Sequence, residues 1–194
     1  MRDDIVNMAG WGSTKELEFL QSTASQLPPK SLVVEIGSWK GRSTAALFSM
    51  FDRSSTLVTI DTWFGSVEDR SIFYSDVYTA DIFKVFMENM ETLFGFFPRP
   101  FMVDRTGFLF LRAHAEEAFL LFKDQSIDFW YNDGDHLQLN RDLELWQPKI
   151  KPGGIMAGHD YCDSYPSVKE VVNARFKFYE LVDTIWYTRN IKEE

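Results

Sequence analysis

Two apolar segments in the second half of the chain each end abruptly in acidic and imidazole side chains. The segment IDFWYNDGDH passes from an aromatic run to Asp133, Asp135 and His136. The later segment GGIMAGHDY ends in the pair His159 and Asp160. Carboxylates and imidazoles are the groups that bind divalent cations and move protons. Two strand ends of this composition predict one chemical site that both segments share.

Asp133, His159 and Asp160 form a candidate metal-binding set. If the two segments are neighbouring strands, their ends converge, and the set is rich in oxygen with room for water or substrate. Hard divalent cations favour oxygen ligands. Imidazole is a softer ligand, so Mn²⁺, Fe²⁺ or another transition metal stays open, as does a site without metal. Without a metal, His159 would act as a base or point into the core.

Charge and composition exclude several classes of function. The net charge of the 194 residues is −9, which argues against a nucleic acid or an anionic membrane as the main partner, since both require a basic face. No apolar run approaches the roughly 18 residues that span a membrane. The start of the chain lacks a basic segment followed by an apolar one, and the single cysteine excludes an internal disulfide. We therefore expect a cytoplasmic protein, and a homo-oligomer is compatible with the sequence.

Short β-branched runs alternate with segments of helical spacing along the chain. The predicted strands are 31–37, 56–61, 107–113, 126–132 and 154–160, followed by an antiparallel pair at 176–182 and 184–190. The predicted helices are 14–27, 41–51, 77–94, 115–123 and 137–146, and one that begins at Pro166. Such alternation is typical of parallel strands joined by right-handed crossovers. We predict a single α/β domain over residues 1–194, with a doubly wound, Rossmann-like sheet of seven strands that binds ligands at the carboxyl ends of its strands.

The sequence VVEIGSWKGRST places a glycine loop between a predicted strand and helix. A dinucleotide-binding loop needs glycines two and five positions after Gly37, where this chain has Trp39 and Arg42, and tryptophan would obstruct a pyrophosphate. The loop also lacks the Gly-Lys-Ser/Thr ending of a phosphate-binding loop. Asp61 ends the next strand, where a carboxylate can accept hydrogen bonds from both ribose hydroxyls. An adenosine without a diphosphate, such as that of S-adenosylmethionine, suits this arrangement; the alternative is a turn glycine with Glu35 and Asp61 as surface acids.

Together, the motifs E-I-G-x-x-x-G-x-S-T, D-G-D-H and G-H-D-Y resemble those of the class I S-adenosylmethionine-dependent methyltransferases. The resemblance is closest to a small group related to macrolide and sugar O-methyltransferases, and it covers roughly residues 30–190. It implies the following cofactor contacts: Glu35, Gly37, Ser38, Gly41 and Ser43 on the methionine side, Asp61 at the ribose, Trp63 and His114 at the adenine, and Asp133. For His114, a helix-capping role is an equal alternative.

The resemblance also implies a metal and a base. Catechol-type and macrolide-type O-methyltransferases bind Mg²⁺ at these two strand ends, where the cation orients the acceptor oxygen and lowers its pKa. This chain departs from them in having His159 beside Asp160, which leaves Mg²⁺, Mn²⁺ or no metal open. Methylation of a hydroxyl requires removal of its proton, and we expect His136 to be the base, with Asp135 as a second base or as the orienting partner of His136. The alternative is a turn that caps the following helix.

We therefore predict an S-adenosylmethionine-dependent O-methyltransferase that acts on a small hydroxylated molecule, such as a sugar or a natural product. The segment 64–106, rich in Phe and Tyr, is expected to form a lid over the acceptor. One alternative is a metal-dependent oxygenase with Fe²⁺ at Asp133, His159 and Asp160, which oxygen uptake without methyl transfer would indicate. Another is a non-catalytic cofactor-binding protein, in which mutation of the acidic cluster would leave cofactor binding unchanged.

Overall fold

Seven strands form one sheet in the part of the chain that the computed structural model describes, which is residues 3–49, 52, 54–65, 81–95 and 107–190. The strands are β1 (Leu32–Ile36), β2 (Thr56–Asp61), β3 (Phe108–Arg112), β4 (Ile127–Asn132), β5 (Ile150–Gly158), β6 (Glu180–Val182) and β7 (Ile185–Arg189). Their order in the sheet is β3-β2-β1-β4-β5-β7-β6. Strands β1 to β5 are parallel, and β7 is antiparallel to both of its neighbours. The predicted fold class is confirmed.

Helices cover both faces of the sheet. They are α1 (Asp3–Val6), α2 (Thr14–Gln26), α3 (Arg42–Ser49), α4 (Ile82–Phe94), α5 (Ala115–Ala118), α6 (Leu139–Trp146) and α7 (Pro166–Arg175). Helix α2 begins with a capping box, in which Ser13 and Glu16 each bond the other's backbone N–H through their side chains. The helix predicted at 115–123 is shorter than expected, because one α-helical turn passes into a 3₁₀ turn at Phe119–Leu121.

The sheet separates two hydrophobic clusters. Along β1, Val33 belongs to one cluster and Val34 to the other, as alternation along a strand requires. Helices α2, α3 and α4 bury their apolar sides in the first cluster, and α6 and α7 bury theirs in the second. Among the described residues, no helix is both long and apolar enough to cross a membrane.

Helix α4 falls within the predicted lid segment 64–106 but belongs to the core. Asp81 caps its first turn, and Gly95 ends it in a left-handed conformation. The helix buries Ile82, Phe86 and Met90 in the first hydrophobic cluster. The stretches 66–80 and 96–106 lie outside the described residues, so the lid stays a prediction.

The loops that follow β1, β2, β4 and β5 lie side by side at one edge of the sheet. Ile36 of β1 is in register with Ile60 of β2 and with Asn132 of β4, and Asn132 is in register with Gly158 of β5. Parallel strands bring their carboxyl ends to a common edge, which is where sheets of this type bind ligands. The glycine loop and both acidic segments are therefore neighbours.

Candidate active site

A cavity of about 540 Å³ lies over this edge of the sheet. The predicted site residues in its wall are Gly37, Asp61, His114, Asp133, Asp135, His136, His159 and Asp160. A smaller cavity of about 40 Å³ has Ser38 and Ser43 in its wall and shares Gly37, Asp133 and His159 with the larger one. The structure thus brings the glycine loop and both acidic segments to one place.

Asp61 holds the glycine loop in shape. Its Oδ2 accepts hydrogen bonds from the backbone N–H groups of Ser38 (2.9 Å) and Trp39 (2.8 Å), and its Oδ1 accepts one from Trp63 N–H (2.6 Å). A backbone hydrogen bond from Thr62 also reaches this carboxylate, and Asp61 lies in the wall of the larger cavity. The ribose contact stays a prediction, to which the structure adds this second role.

Glu35 lies beneath the loop rather than in either cavity wall. Its side chain is fully buried and accepts hydrogen bonds from Ser43 Oγ (2.6 Å), Thr44 Oγ1 (2.5 Å) and Thr59 Oγ1 (2.7 Å). Burial raises the pKa of Glu35 to about 7, although the three hydroxyls favour the ionised form. Glu35 thus supports the loop from below, and its predicted cofactor contact stays a prediction.

The buried Glu35 should make the free energy of unfolding depend on pH. Its pKa is 4.5 when exposed and about 7 in the folded protein, so the folded state holds the proton more tightly. The stability that Glu35 contributes is complete below pH 4.5 and is lost as the pH rises to about 7. Glu35→Gln has no carboxyl group that titrates. The free energy of unfolding of this variant, minus that of the parent, should therefore rise by about 3 kcal/mol between pH 4.5 and about pH 7. Urea denaturation at several pH values measures the difference, and a constant difference would contradict the prediction.

Gly41 and Trp63 also lie outside both cavity walls. A Cβ atom on Gly41 would come within 2.6 Å of Met90 Cε and 3.0 Å of the Phe86 ring, so this glycine allows the loop to pack closely on α4. Trp63 is only 4% exposed, lies among aromatic rings of α4 and β3, and donates its Nε1–H to Trp39 O at 2.9 Å. The structure gives Gly41 and Trp63 packing roles, and their cofactor contacts stay predictions.

His114 stands at the N-cap position of α5 but makes no side-chain capping hydrogen bond. Its side chain is instead part of the wall of the larger cavity. The position therefore favours the ligand-binding alternative over the capping one, and the adenine contact stays a prediction.

Two buried donors in the wall of the smaller cavity, Ser38 Oγ and Arg42 Nε, have no hydrogen-bond partner within the described residues. The terminal nitrogens of the Arg42 guanidinium donate to the carbonyls of Val6, Gly10 and Gly12, which ties the N-terminal segment to the loop. A buried donor without a partner costs free energy, so the pair indicates a ligand that supplies acceptors. The sequence analysis assigned Arg42 no role, because its partners come from a distant segment.

His159 lies at the centre of three carboxylates. Its Nδ1 is 3.0 Å from Asp160 Oδ1 and 3.5 Å from Asp133 Oδ1, and its Nε2 is 3.3 Å from Glu16 Oε2. Burial alone would lower the pKa of His159, but the carboxylates raise it to about 11. Burial raises the pKa of Asp133, whereas the imidazoles of His136 and His159 overcome burial and hold the pKa of Asp160 below its usual value. The three predicted metal ligands offer atoms within 4.8 Å of one another.

His136 has Asp160 as its carboxylate partner. Its Nε2 lies 2.6 Å from Asp160 Oδ2, and its ring lies against that of Tyr165 with the centroids 4.0 Å apart. Asp135 Oδ1 instead accepts a hydrogen bond from Leu137 N–H (2.9 Å), which is the turn interaction typical of aspartate. The prediction that Asp135 orients His136 is corrected, since the structure gives that position to Asp160.

Asn132 supports the site in a way that the sequence analysis did not assign. It is buried, its Nδ2 donates to Asp142 Oδ2 at 2.9 Å, and its Oδ1 accepts from Gly134 N–H at 3.0 Å. Burial raises the pKa of Asp142 to about 6. The hydrogen bond between Asn132 and Asp142 holds the turn that carries Asp133 against helix α6. A polar residue at the end of a buried strand was the available signal.

A family model described as a methyltransferase domain matches residues 34–161. No curated protein sequence gives a significant match. The matched range contains the glycine loop, β2 and both acidic segments, and thus nearly all the residues of the candidate site.

Several solved structures share the fold at low sequence identity. A methyltransferase from Podospora anserina with bound S-adenosylhomocysteine has a TM-score of 0.67 and 12% identity, covering 96% of this chain and 87% of that one. An S-adenosylmethionine-dependent O-methyltransferase from Thermotoga maritima has a TM-score of 0.65 and 13% identity, covering 99% and 71%. An O-methyltransferase from Bacillus cereus in complex with S-adenosylhomocysteine has a TM-score of 0.63 and 14% identity, covering 96% and 90%. At these identities the likeness is one of fold.

Proposed function

The chain belongs to the methyltransferase domain family, and on that premise we propose that it transfers the methyl group of S-adenosylmethionine to a hydroxyl of a small molecule. One observation carries the proposal: a single cavity contains the glycine loop with Asp61 on one side and the paired His136 and Asp160 on the other. A cofactor held at the loop would thus present its reactive end toward a proton acceptor. The O-methyltransferases of similar fold support the choice of oxygen as the acceptor atom.

The donors and acceptors of the two cavities fit S-adenosylmethionine. Ser38 Oγ and Arg42 Nε, the buried donors without partners, suit the carboxylate of the methionine moiety. Asp133, shared by both cavities, suits the methionine ammonium. Asp61 would accept from the ribose, and His114 lies where an adenine contact is expected. Each end of the ligand therefore has a complementary group.

The proton of the acceptor hydroxyl would pass to His136. When bound, S-adenosylmethionine supplies a methyl group on positively charged sulfur, which is transferred to the acceptor oxygen with release of S-adenosylhomocysteine. Asp160 holds the His136 imidazole by the 2.6 Å contact and would stabilise the imidazolium that forms. Tyr165 limits rotation of the same ring by lying against it.

A divalent cation, Mg²⁺ or Mn²⁺, would be held by Asp133, His159 and Asp160, where it would lower the pKa of the acceptor hydroxyl. The donor set fits such a cation, because two carboxylates and one imidazole offer atoms within 4.8 Å of one another.

Four further proposals rest on the sequence alone. They are a sugar or natural product as the acceptor, residues 1–194 as one domain, the segment 64–106 as the lid, and a cytoplasmic location.

Calorimetric titration with S-adenosylhomocysteine tests the cofactor. EDTA-treated protein should bind it with micromolar affinity, and added Mg²⁺ or Mn²⁺ should give a separate heat. Formation of S-adenosylhomocysteine from S-adenosylmethionine, measured against a panel of hydroxylated sugars and phenols, then tests transfer. Absence of binding under every condition would overturn the proposal.

Ser38→Ala should weaken S-adenosylhomocysteine but not 5′-methylthioadenosine. The two ligands share the adenosine and the thioether, and only the first carries the carboxylate that Ser38 Oγ would bind. Loss of one hydrogen bond to a charged group lowers affinity by about tenfold or more. Calorimetry with both ligands measures the ratio of the two affinities, and an equal loss for both would place the Ser38 contact elsewhere on the cofactor.

A further inference from the structure

Glu16, near the start of α2, makes more contacts than its helix requires. The capping box accounts for the hydrogen bond from Ser13 N–H to Glu16 Oε2 (2.6 Å). It does not account for the other carboxylate oxygen, Oε1, which accepts from both Thr184 N–H (2.8 Å) and Thr184 Oγ1 (2.7 Å) in the turn between β6 and β7. Nor does it explain the approach of Oε2 to within 3.3 Å of His159 Nε2. The Glu16 side chain, 4% exposed, links three distant segments.

These contacts orient the His159 ring. Its Nε2 faces Glu16 and Thr184 Oγ1, the latter at 3.2 Å. Its Nδ1 consequently faces the opposite way, toward Asp133 and Asp160. Histidines that bind metals generally donate their second ring N–H to a carboxylate or a carbonyl, which fixes the ring and its tautomer. His159 has this arrangement, with Glu16 facing Nε2 and the acidic pair Asp133 and Asp160 facing Nδ1.

We infer that Glu16 is a positioning residue, which holds His159 so that Nδ1 is the atom presented to a divalent cation at Asp133 and Asp160. The inference rests on the metal assistance in the proposed function. Helix α2 thus supplies a carboxylate that supports the cation site. The geometry of that site then depends on the packing of α2 against the sheet. Thr184 assists by binding both Glu16 and the same edge of the imidazole.

Nuclear magnetic resonance with ¹¹³Cd²⁺ identifies the bound nitrogen directly. The chain contains only three histidines, so the ring ¹⁵N signals of histidine-labelled protein can be assigned by single substitutions. A one-bond coupling between ¹¹³Cd and His159 Nδ1, with Nε2 still protonated, is the expected result. Coupling to Nε2 would overturn the inference.

Substitution of Glu16 gives the second measurement. In Glu16→Gln, calorimetry should show Mn²⁺ affinity lowered by about 10–100-fold, while the affinity for S-adenosylhomocysteine in EDTA falls by a much smaller factor, although Glu16 also lines the smaller cavity. Thr184→Val should lower Mn²⁺ affinity several-fold and serves if the first variant does not fold. Ser13→Ala is the matched control, since it removes the hydroxyl that caps α2 and bonds Asp183 but keeps the carboxylate on His159; its Mn²⁺ affinity should fall far less than that of Glu16→Gln.

The outcomes separate this inference from the proposed function. Unchanged Mn²⁺ affinity in both variants, or no binding of any cation by the parent, would overturn the role of Glu16. If the parent still binds S-adenosylhomocysteine in those cases, the methyltransferase proposal is untouched. Failure of the parent to bind S-adenosylhomocysteine would overturn the proposed function itself.

Discussion

His136→Ala is expected to lower the rate of methyl transfer by about 10²–10⁴-fold, the usual contribution of a positioned base. The reason is geometric, because His136 lines the cavity and is held by Asp160 at 2.6 Å and by the ring of Tyr165. The variant should bind S-adenosylhomocysteine as the parent does, since the proposed cofactor contacts come from other residues. Single-turnover formation of S-adenosylhomocysteine, with an acceptor from the hydroxyl panel, measures the change.

Asp135→Asn is the matched control for the base. The Asp135 carboxylate accepts a hydrogen bond from Leu137 N–H, and asparagine can form the same turn. The rate should therefore change by less than about threefold, far below the range expected for loss of a base. If Asp135→Asn loses as much activity as His136→Ala, then Asp135 is the base, and the pairing of His136 with Asp160 serves another purpose.

The positions of the strands along the chain could be predicted because buried parallel strands consist of short β-branched runs. The start of β5 could not be predicted, because the strand begins at Ile150 and not at Gly154. A Pro-Gly-Gly stretch is typical of a turn, but here Ile150 already pairs with Ile127, and the register then shifts before Ile155 pairs with Phe129. Local propensity cannot reveal such an irregularity, since it depends on the neighbouring strand. Helix α1, with four residues, is too short to show a periodicity.

The acidic part of the site could be predicted for a related reason. Parallel strands end at the same edge, so polar residues that end neighbouring strands must meet there, as Asp133 and Asp160 do. The residues that sequence reasoning did not find are those whose partners lie far along the chain, such as Glu16, whose contact with Thr184 spans 168 positions. The packing of Trp63 could not be predicted, because a tryptophan after a strand suits a ligand wall and an aromatic core equally well.

Gly37 makes the closest backbone contact of the site, and its substitution is expected to cause the largest loss of stability. Gly37 has a positive φ of 82°, and a Cβ atom there would stand 2.1 Å from the carbonyl oxygen of Asp133. That oxygen belongs to the backbone of the neighbouring strand end, so neither side can move without separating the glycine loop from the acidic turn. Gly37→Ala should lower the free energy of unfolding by roughly 2–5 kcal/mol, from overpacking and from the left-handed conformation.

Gly95→Ala separates the two causes of that loss. Gly95 ends α4 at a similar φ of 73°, but a Cβ atom there would have no atom of the described residues within 4 Å, so the expected cost is the conformational one of about 1–2 kcal/mol. Urea denaturation of both variants gives the difference, which is the cost of pushing the loop away from Asp133. Gly37→Ala should also weaken S-adenosylhomocysteine by at least about tenfold, because the donors of the loop and Asp133 would no longer face one ligand together, whereas Gly95→Ala should bind it normally. Equal losses of stability in the two variants would mean that the loop and the acidic turn are not held together at Gly37, and the shared wall of the two cavities would then lose its physical basis.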